Sequence, residues 1–140
     1  MKYTLLEEYD YDFTLIGISC HAKDYRICWS INQRFGYDFE KQEHDLEMLN
    51  DNKAETSVHS LYAYYDDDNH NELFLISNRN SNGYLIPEQR HADYMLMVKG
   101  AVSVDAKLLS NELKEIDTVL TAFQINVMDL KSRKSLFSEG

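Results

Sequence analysis

The sequence predicts an α+β fold, a two-layer sandwich in which two helices cover one face of a mainly antiparallel sheet. Short segments rich in β-forming residues are separated by turn residues, and two other segments place apolar residues at helical spacing. The 140 residues, of which 44% are hydrophobic, suffice for one compact core. We therefore predict a single domain over residues 1–140.

The first predicted elements are a strand and a helix. Residues 13–19 form a short apolar run, which is typical of a central strand buried on both faces. Apolar residues then recur at helical spacing over residues 25–35. Asp24 is the predicted N-cap of this helix, and Gly36 stands where a C-terminal glycine is expected.

The middle of the chain predicts a β-hairpin. Residues 58–65 and 73–77 are rich in β-forming side chains, and a polar turn of Asp, Asn and His separates them. Before the hairpin, Tyr37 and Phe39 alternate with charged residues as in a short edge strand. The polar stretch from residue 40 to residue 56 receives no assignment.

The last third predicts strand, helix and strand. The strands are residues 94–98 and 119–125, and the helix begins at Ala106 with Asp105 as its N-cap. This order is similar to the second half of a ferredoxin-like unit.

Both faces of the predicted strands are apolar. In one strand Met95 and Met97 alternate with Leu96 and Val98. Because helices cover one face only, the second face needs a cover, and we predict a homodimer or an unidentified protein partner there. The alternative is that residues 40–56 fold over this face, or that tyrosines stand partly exposed. The residues assigned to the interface are Tyr62, Tyr64, Phe74 and Met97.

Charge and composition exclude several classes of function. The net charge of −10 disfavours nucleic acid, because binding a polyanion requires clustered Lys and Arg. The longest apolar stretch is far shorter than the ~20 residues of a membrane-spanning helix. No secretory signal precedes it, so we expect Cys20 and Cys28 to be free thiols in the cytoplasm.

Metal and cofactor chemistry is not indicated. The two cysteines and five histidines lack the paired spacing of a zinc site. The acidic turn after residue 65 has Asn71 and Ser77 where a calcium loop requires Gly and Glu. We expect neither a metal nor a cofactor.

The most interesting polar cluster follows the only proline, Pro87. A single helical turn starting there would bring Glu88 and His91 together as an acid/base pair, with Asp93 and Tyr94 beside them. The alternative is structural: Pro87 fixes a corner, and the polar residues close the loop onto the sheet. The structural interpretation is favoured, because no nucleophile or phosphate-binding loop accompanies the cluster.

The same segment resembles a known family. Its letters, IPEQRHADY at residues 86–94, are similar to the signature of the bacterial IPExxxVDY family, with Ala92 in place of the valine. Similarity extends to residues 15–18, to the helix carrying Asp24, Tyr25 and Trp29, to residues 75–78 and to the final helix and strand. The resemblance implies a small bacterial cytoplasmic protein and carries no activity.

Together these observations predict a non-enzymatic protein-interaction or regulatory module that acts as a homodimer. The alternative is a small-molecule-binding domain, or an enzyme, that uses Glu88, His91, Asp93 and Tyr94.

Overall fold

The computed structural model describes residues 13–43, 46–49, 56–80, 83–100, 104–131 and 136. The elements are β1 (Thr14–Cys20), α1 (Asp24–Phe35), β2 (Glu40–Lys41), β3 (Leu46–Leu49), β4 (Thr56–His59), β5 (Leu61–Asp66), β6 (Asn71–Ser77), β7 (Arg79–Asn80), β8 (Gly83–Tyr84), β9 (Tyr94–Gly100), α2 (Ala106–Leu113) and β10 (Val119–Ile125). A six-stranded antiparallel sheet, with the strand order β10-β1-β9-β6-β5-β2, carries the two helices. The α+β prediction is therefore confirmed.

The ferredoxin-like prediction is confirmed and applies more widely than expected. Strands β9 and β10, joined through α2, both pair antiparallel with β1, which lies between them. Strand β6 pairs with the other side of β9. The elements β1, α1, β6, β9, α2 and β10 thus follow the ferredoxin-like pattern, with β2 to β5 inserted before β6.

Both helices pack on one face of the sheet. Helix α1 buries Ile27, Cys28 and Ile31, which recur at helical spacing, and α2 buries Leu113. These side chains join one core cluster with alternate residues of the strands. The sheet residues of this cluster are Ile16, Ile18, Cys20, Tyr62, Leu73, Leu75, Tyr94, Leu96, Val98, Val119 and Ala122.

The helix ends agree with the sequence except at one cap. Gly36 ends α1 in the left-handed conformation, with φ 70°, and the Asp105 carboxylate accepts hydrogen bonds from two amides at the start of α2. The predicted N-cap Asp24 is wrong. Lys23 occupies the cap without a side-chain bond, and Asp24 is the first helical residue.

The predicted strand over residues 58–65 is two strands that belong to different sheets. Strand β4 pairs with β3, inside the stretch that the sequence left unassigned, whereas β5 pairs with β6. The break falls at Ser60, whose carbonyl accepts a hydrogen bond from the Ser77 amide. His59 is fully buried, with Nδ1 2.9 Å from the Ser77 carbonyl oxygen. The β-forming composition is continuous across this break, so it gives no signal there.

The second face of the sheet is covered by parts of the same chain. Its core cluster contains Leu85, Ile86 and Ala92 from the segment after β8, with residues that follow β10. Residues 40–43, the part of residues 40–56 whose side chains the structure describes, are not among its members. The open face on which the interface prediction depended is therefore absent from the described structure. The residues after β10 in the cluster are Val127, Leu130 and Leu136.

The four residues assigned to an interface do not form one surface. Tyr62 and Tyr64 pack with the core on the helix face, whereas Phe74 and Met97 are opposed across β6 and β9 on the other face. Tyr62 and Met97 are both buried. They fall on two faces because the register of β5 and β6 pairs Phe74 with Ala63 and not with Tyr62, and the sequence does not show this register. Their role in an interface stays a prediction.

The close contact between Gly17 and Phe123 generates a test of the packing between β1 and β10. A Cβ atom at Gly17 would lie 2.8 Å from two atoms of the Phe123 ring on the opposing strand. We expect Gly17→Ala to lower the free energy of unfolding by about 1–3 kcal/mol, through overpacking. Urea denaturation measures this cost. Repeated in a Phe123→Ala background, the same substitution should cost much less, and an equal cost in both backgrounds would contradict the packing argument.

Candidate functional site

The segment after β8 is held in place by one buried amide side chain. Asn78, between β6 and β7, has no exposed surface. Its Oδ1 accepts a 2.7 Å hydrogen bond from the Ile86 amide, and its Nδ2 donates to the carbonyl oxygens of Gln89 at 3.0 Å and Ala92 at 2.8 Å. A buried amide that satisfies backbone groups on both sides of a loop fixes the shape of that loop.

Backbone bonds complete this corner. The Asn78 amide donates to the Asp93 carbonyl oxygen at 2.9 Å, and the Leu85 amide donates to the Asn78 carbonyl oxygen at 2.8 Å. The Asp93 amide in turn donates to the carbonyl oxygen of Ile18 on β1. The corner is therefore tied to the central strand of the sheet as well as to β6.

Asp93 and Tyr94 have their polar atoms engaged in the fold. Asp93 Oδ2 accepts a 2.8 Å hydrogen bond from the Cys20 amide, and Oδ1 lies 3.1 Å from a guanidinium nitrogen of Arg79. The Tyr94 hydroxyl donates to the carbonyl oxygen of Ala22. Burial, with smaller contributions from nearby Cys20 and acidic groups, raises the pKa of Tyr94, so the phenol remains a neutral donor.

Glu88 and His91 differ from these two residues because both are exposed to solvent. Pro87–Gln89 does form a single 3₁₀ turn with Pro87 at its start. The polar cluster is thus divided into two exposed and two buried side chains, and the buried pair is committed to structural bonds. The binding role predicted for the four residues stays a prediction, and the structure favours the corner-locking interpretation.

Most of the letters that carry the family resemblance have a structural role, whereas Glu88 among them is exposed. Ile86 and Ala92 are fully buried against the second sheet face, and Pro87 starts the turn between them. The small side chain of Ala92 is part of this buried cluster. Sequence reasoning missed Asn78, because an Asn in a turn rich in Asn and Ser is more often exposed than buried.

A second candidate site lies on the outer side of α1. Tyr25 and Trp29, four residues apart and therefore adjacent on the helix, are 65% and 58% exposed. With Arg26 they line an open depression of about 380 Å³. In the described structure the side chains of Arg26 and Trp29 have no hydrogen bond or ion pair. Both rings project to solvent, away from the buried stripe of Ile27, Cys28 and Ile31.

The charge of α1 differs from that of the whole protein. Lys23, Arg26 and Arg34 against Asp24 give the helix and its cap a formal charge of +2, whereas the chain carries −10. Arg34 lies 4.0 Å from Glu112, a distant pair between exposed groups. The aromatic pair therefore sits on a locally basic strip of an acidic protein.

The two thiols do not form a reactive site. Cys20 and Cys28 are free and buried. Burial, reinforced by Asp24 and Asp38, raises the pKa of the Cys28 thiol to about 11, so at neutral pH it remains a protonated, weakly reactive group.

Metal-ligand clusters and membrane-spanning helices are both absent from the described residues. Within the part of the chain that the structure describes, no three His, Cys, Asp or Glu side chains converge as metal ligands. Neither α1 nor α2 has the length and apolar composition of a membrane-spanning helix.

Comparison of the chain with protein-family models, with curated proteins and with solved structures gives no match. The resemblance of residues 86–94 to the IPExxxVDY family therefore stays a prediction, and the interpretation of function depends on the two candidate sites themselves.

The Asn78 network predicts a large effect of one substitution. Asn78→Ala removes buried bonds to the Ile86 amide and the Ala92 carbonyl oxygen, and a partly buried bond to the Gln89 carbonyl oxygen. We expect the free energy of unfolding to fall by about 2–4 kcal/mol, as measured by urea denaturation.

Asn69→Ala is the matched control for this measurement. Asn69 is exposed and its side-chain amide donates only to the Asp66 carboxylate, so its removal should cost about 0.5 kcal/mol or less. Equal effects at the two positions would show that the Asn78 amide does not hold the corner.

Proposed function

We infer that the protein is a non-enzymatic interaction module that binds a partner protein through the outer side of α1. The observation that carries this inference is the exposed trio Tyr25, Arg26 and Trp29. Trp, Tyr and Arg are the residues most enriched among those that dominate the energy of protein interfaces.

The shape of the depression favours a protein surface over a small molecule. Pockets that bind small ligands enclose most of the ligand surface between several elements. Among the residues that the structure describes, the depression on α1 is lined by three residues of one helix and is open to solvent, which suits contact with a protein surface. The flat, rigid rings of Tyr25 and Trp29 can cover apolar area of a partner at a low cost in conformational entropy.

The local charge specifies the chemistry of the partner. The Arg26 guanidinium is exposed beside the two rings, and Lys23 adds a second exposed cation one turn earlier. A partner segment with an apolar side chain for the rings and a carboxylate for Arg26 complements this surface. Because charges beyond about 8 Å are screened at physiological salt, the local cations outweigh the net charge of −10 in such a contact.

The proposed cellular setting is the bacterial cytoplasm. The resemblance to the IPExxxVDY family implies it, and the two free, buried cysteines are compatible with a reducing compartment.

Site-specific photo-crosslinking tests this function. A benzophenone amino acid at Tyr25, in the cells that normally produce the protein, should give a discrete crosslinked partner. Tyr65, which is 55% exposed on β5, is the matched control position and should not give that product. Trp29→Ala should abolish the Tyr25 product, because loss of a central aromatic side chain typically weakens binding at least tenfold, about 1.4 kcal/mol or more.

Charge variants test the nature of the partner in the same assay. Arg26→Glu should remove the product more completely than Arg26→Gln, since it places like charges together. All of these variants change exposed side chains and should remain folded. A product that survives Trp29→Ala, or one that contains a second copy of this chain, would contradict the proposed surface.

A further inference from the structure

The two edges of the main sheet differ in their protection against strand pairing. One edge ends in β2, which has two residues, Glu40 and Lys41, both charged and exposed. Short and charged edge strands prevent another chain from adding to a sheet. The other edge ends in β10, which is seven residues long.

Strand β10 lacks these protective features. Its sequence, VLTAFQI, contains no charge and no proline. In the described structure it pairs with β1 alone, so the backbone groups on its outer side face no strand. Leu120, in this strand, is 63% exposed. A register shift at Leu120 interrupts the ladder, and the residues from Thr121 to Ile125 form a regular ladder.

The net charge also directs self-association to this edge. Two copies that each carry −10 repel one another at long range, and an uncharged strand edge adds no like charge at the contact itself. An uncharged strand edge offers hydrogen-bonding groups that a second identical edge satisfies. An antiparallel pair of identical strands is related by a two-fold axis, which closes the assembly as a dimer.

We propose that a second copy of this chain adds to the β10 edge by antiparallel strand pairing, which joins the two six-stranded sheets into one. The two-fold axis runs perpendicular to the joined sheet, so the α2 helices of both copies lie on the same side of it. Helix α2 packs on β10 and exposes Leu108, which provides apolar area beyond that of the strands. This dimer uses neither the second sheet face nor α1, and it is independent of the proposed partner surface.

Sedimentation velocity across a range of protein concentrations tests the proposal. For the unmodified chain, we expect the apparent mass from sedimentation to rise with concentration to twice the chain mass of 16.4 kDa. Thr121→Glu with Gln124→Glu, both at exposed positions, places like charges along the paired edges and should raise the dissociation constant at least about tenfold.

A control with the same added charge separates the edge from a general charge effect. Gln33→Glu with Asn69→Asp adds two negative charges at exposed positions on α1 and in the turn before β6, and should leave the dimer nearly unchanged. Amide hydrogen exchange should also slow on the outer side of β10 as concentration rises. A monomer at all concentrations, or a dimer equally stable in the Thr121/Gln124 variant, would overturn the proposal.

Discussion

The buried side-chain amide of Asn78 is the interaction on which the arrangement of this protein depends. It satisfies backbone groups at Ile86, Gln89 and Ala92, so the chain after β8 turns back and lays Ile86 and Ala92 on the second face of the sheet. Without those hydrogen bonds, polar groups inside an apolar layer would remain unpaired. The Asn78 side chain thus holds a cover on the second face of the sheet, whose first face packs against the two helices.

This arrangement determines which parts of the molecule remain available for function. Asp93 binds the Cys20 amide and Arg79, and the Tyr94 hydroxyl binds the Ala22 carbonyl. These bonds hold the start of β9 to the last residue of β1 and to the loop that follows it. The conspicuous polar segment is therefore mainly a structural device. Among the described residues, the aromatic pair on α1 and the uncharged β10 edge present groups to solvent that the fold does not use.

Much of the fold could be predicted from the sequence, because periodicity records which residues are buried. The limits of β10 and the Asp105 cap follow directly from local pattern. The cover of the second face could not be predicted, since it depends on contacts between segments that are distant in the chain. Nor does any pattern distinguish Asn78 from the exposed polar residues beside it, or show that α1 turns its aromatic pair to solvent. These outcomes depend on tertiary packing.

Amide hydrogen exchange tests the central role of Asn78 most directly. The amides of Ile86 and Cys20 donate to side chains at this corner, and the Asp93 amide donates from the corner to the Ile18 carbonyl oxygen on β1. If the corner opens only when the whole sheet unfolds, these three amides should have the same free energy of opening as amides in the middle of β1 and β9. Exchange of these three amides well before the central strands would contradict the account, because the corner would then be a separate and weakly held loop.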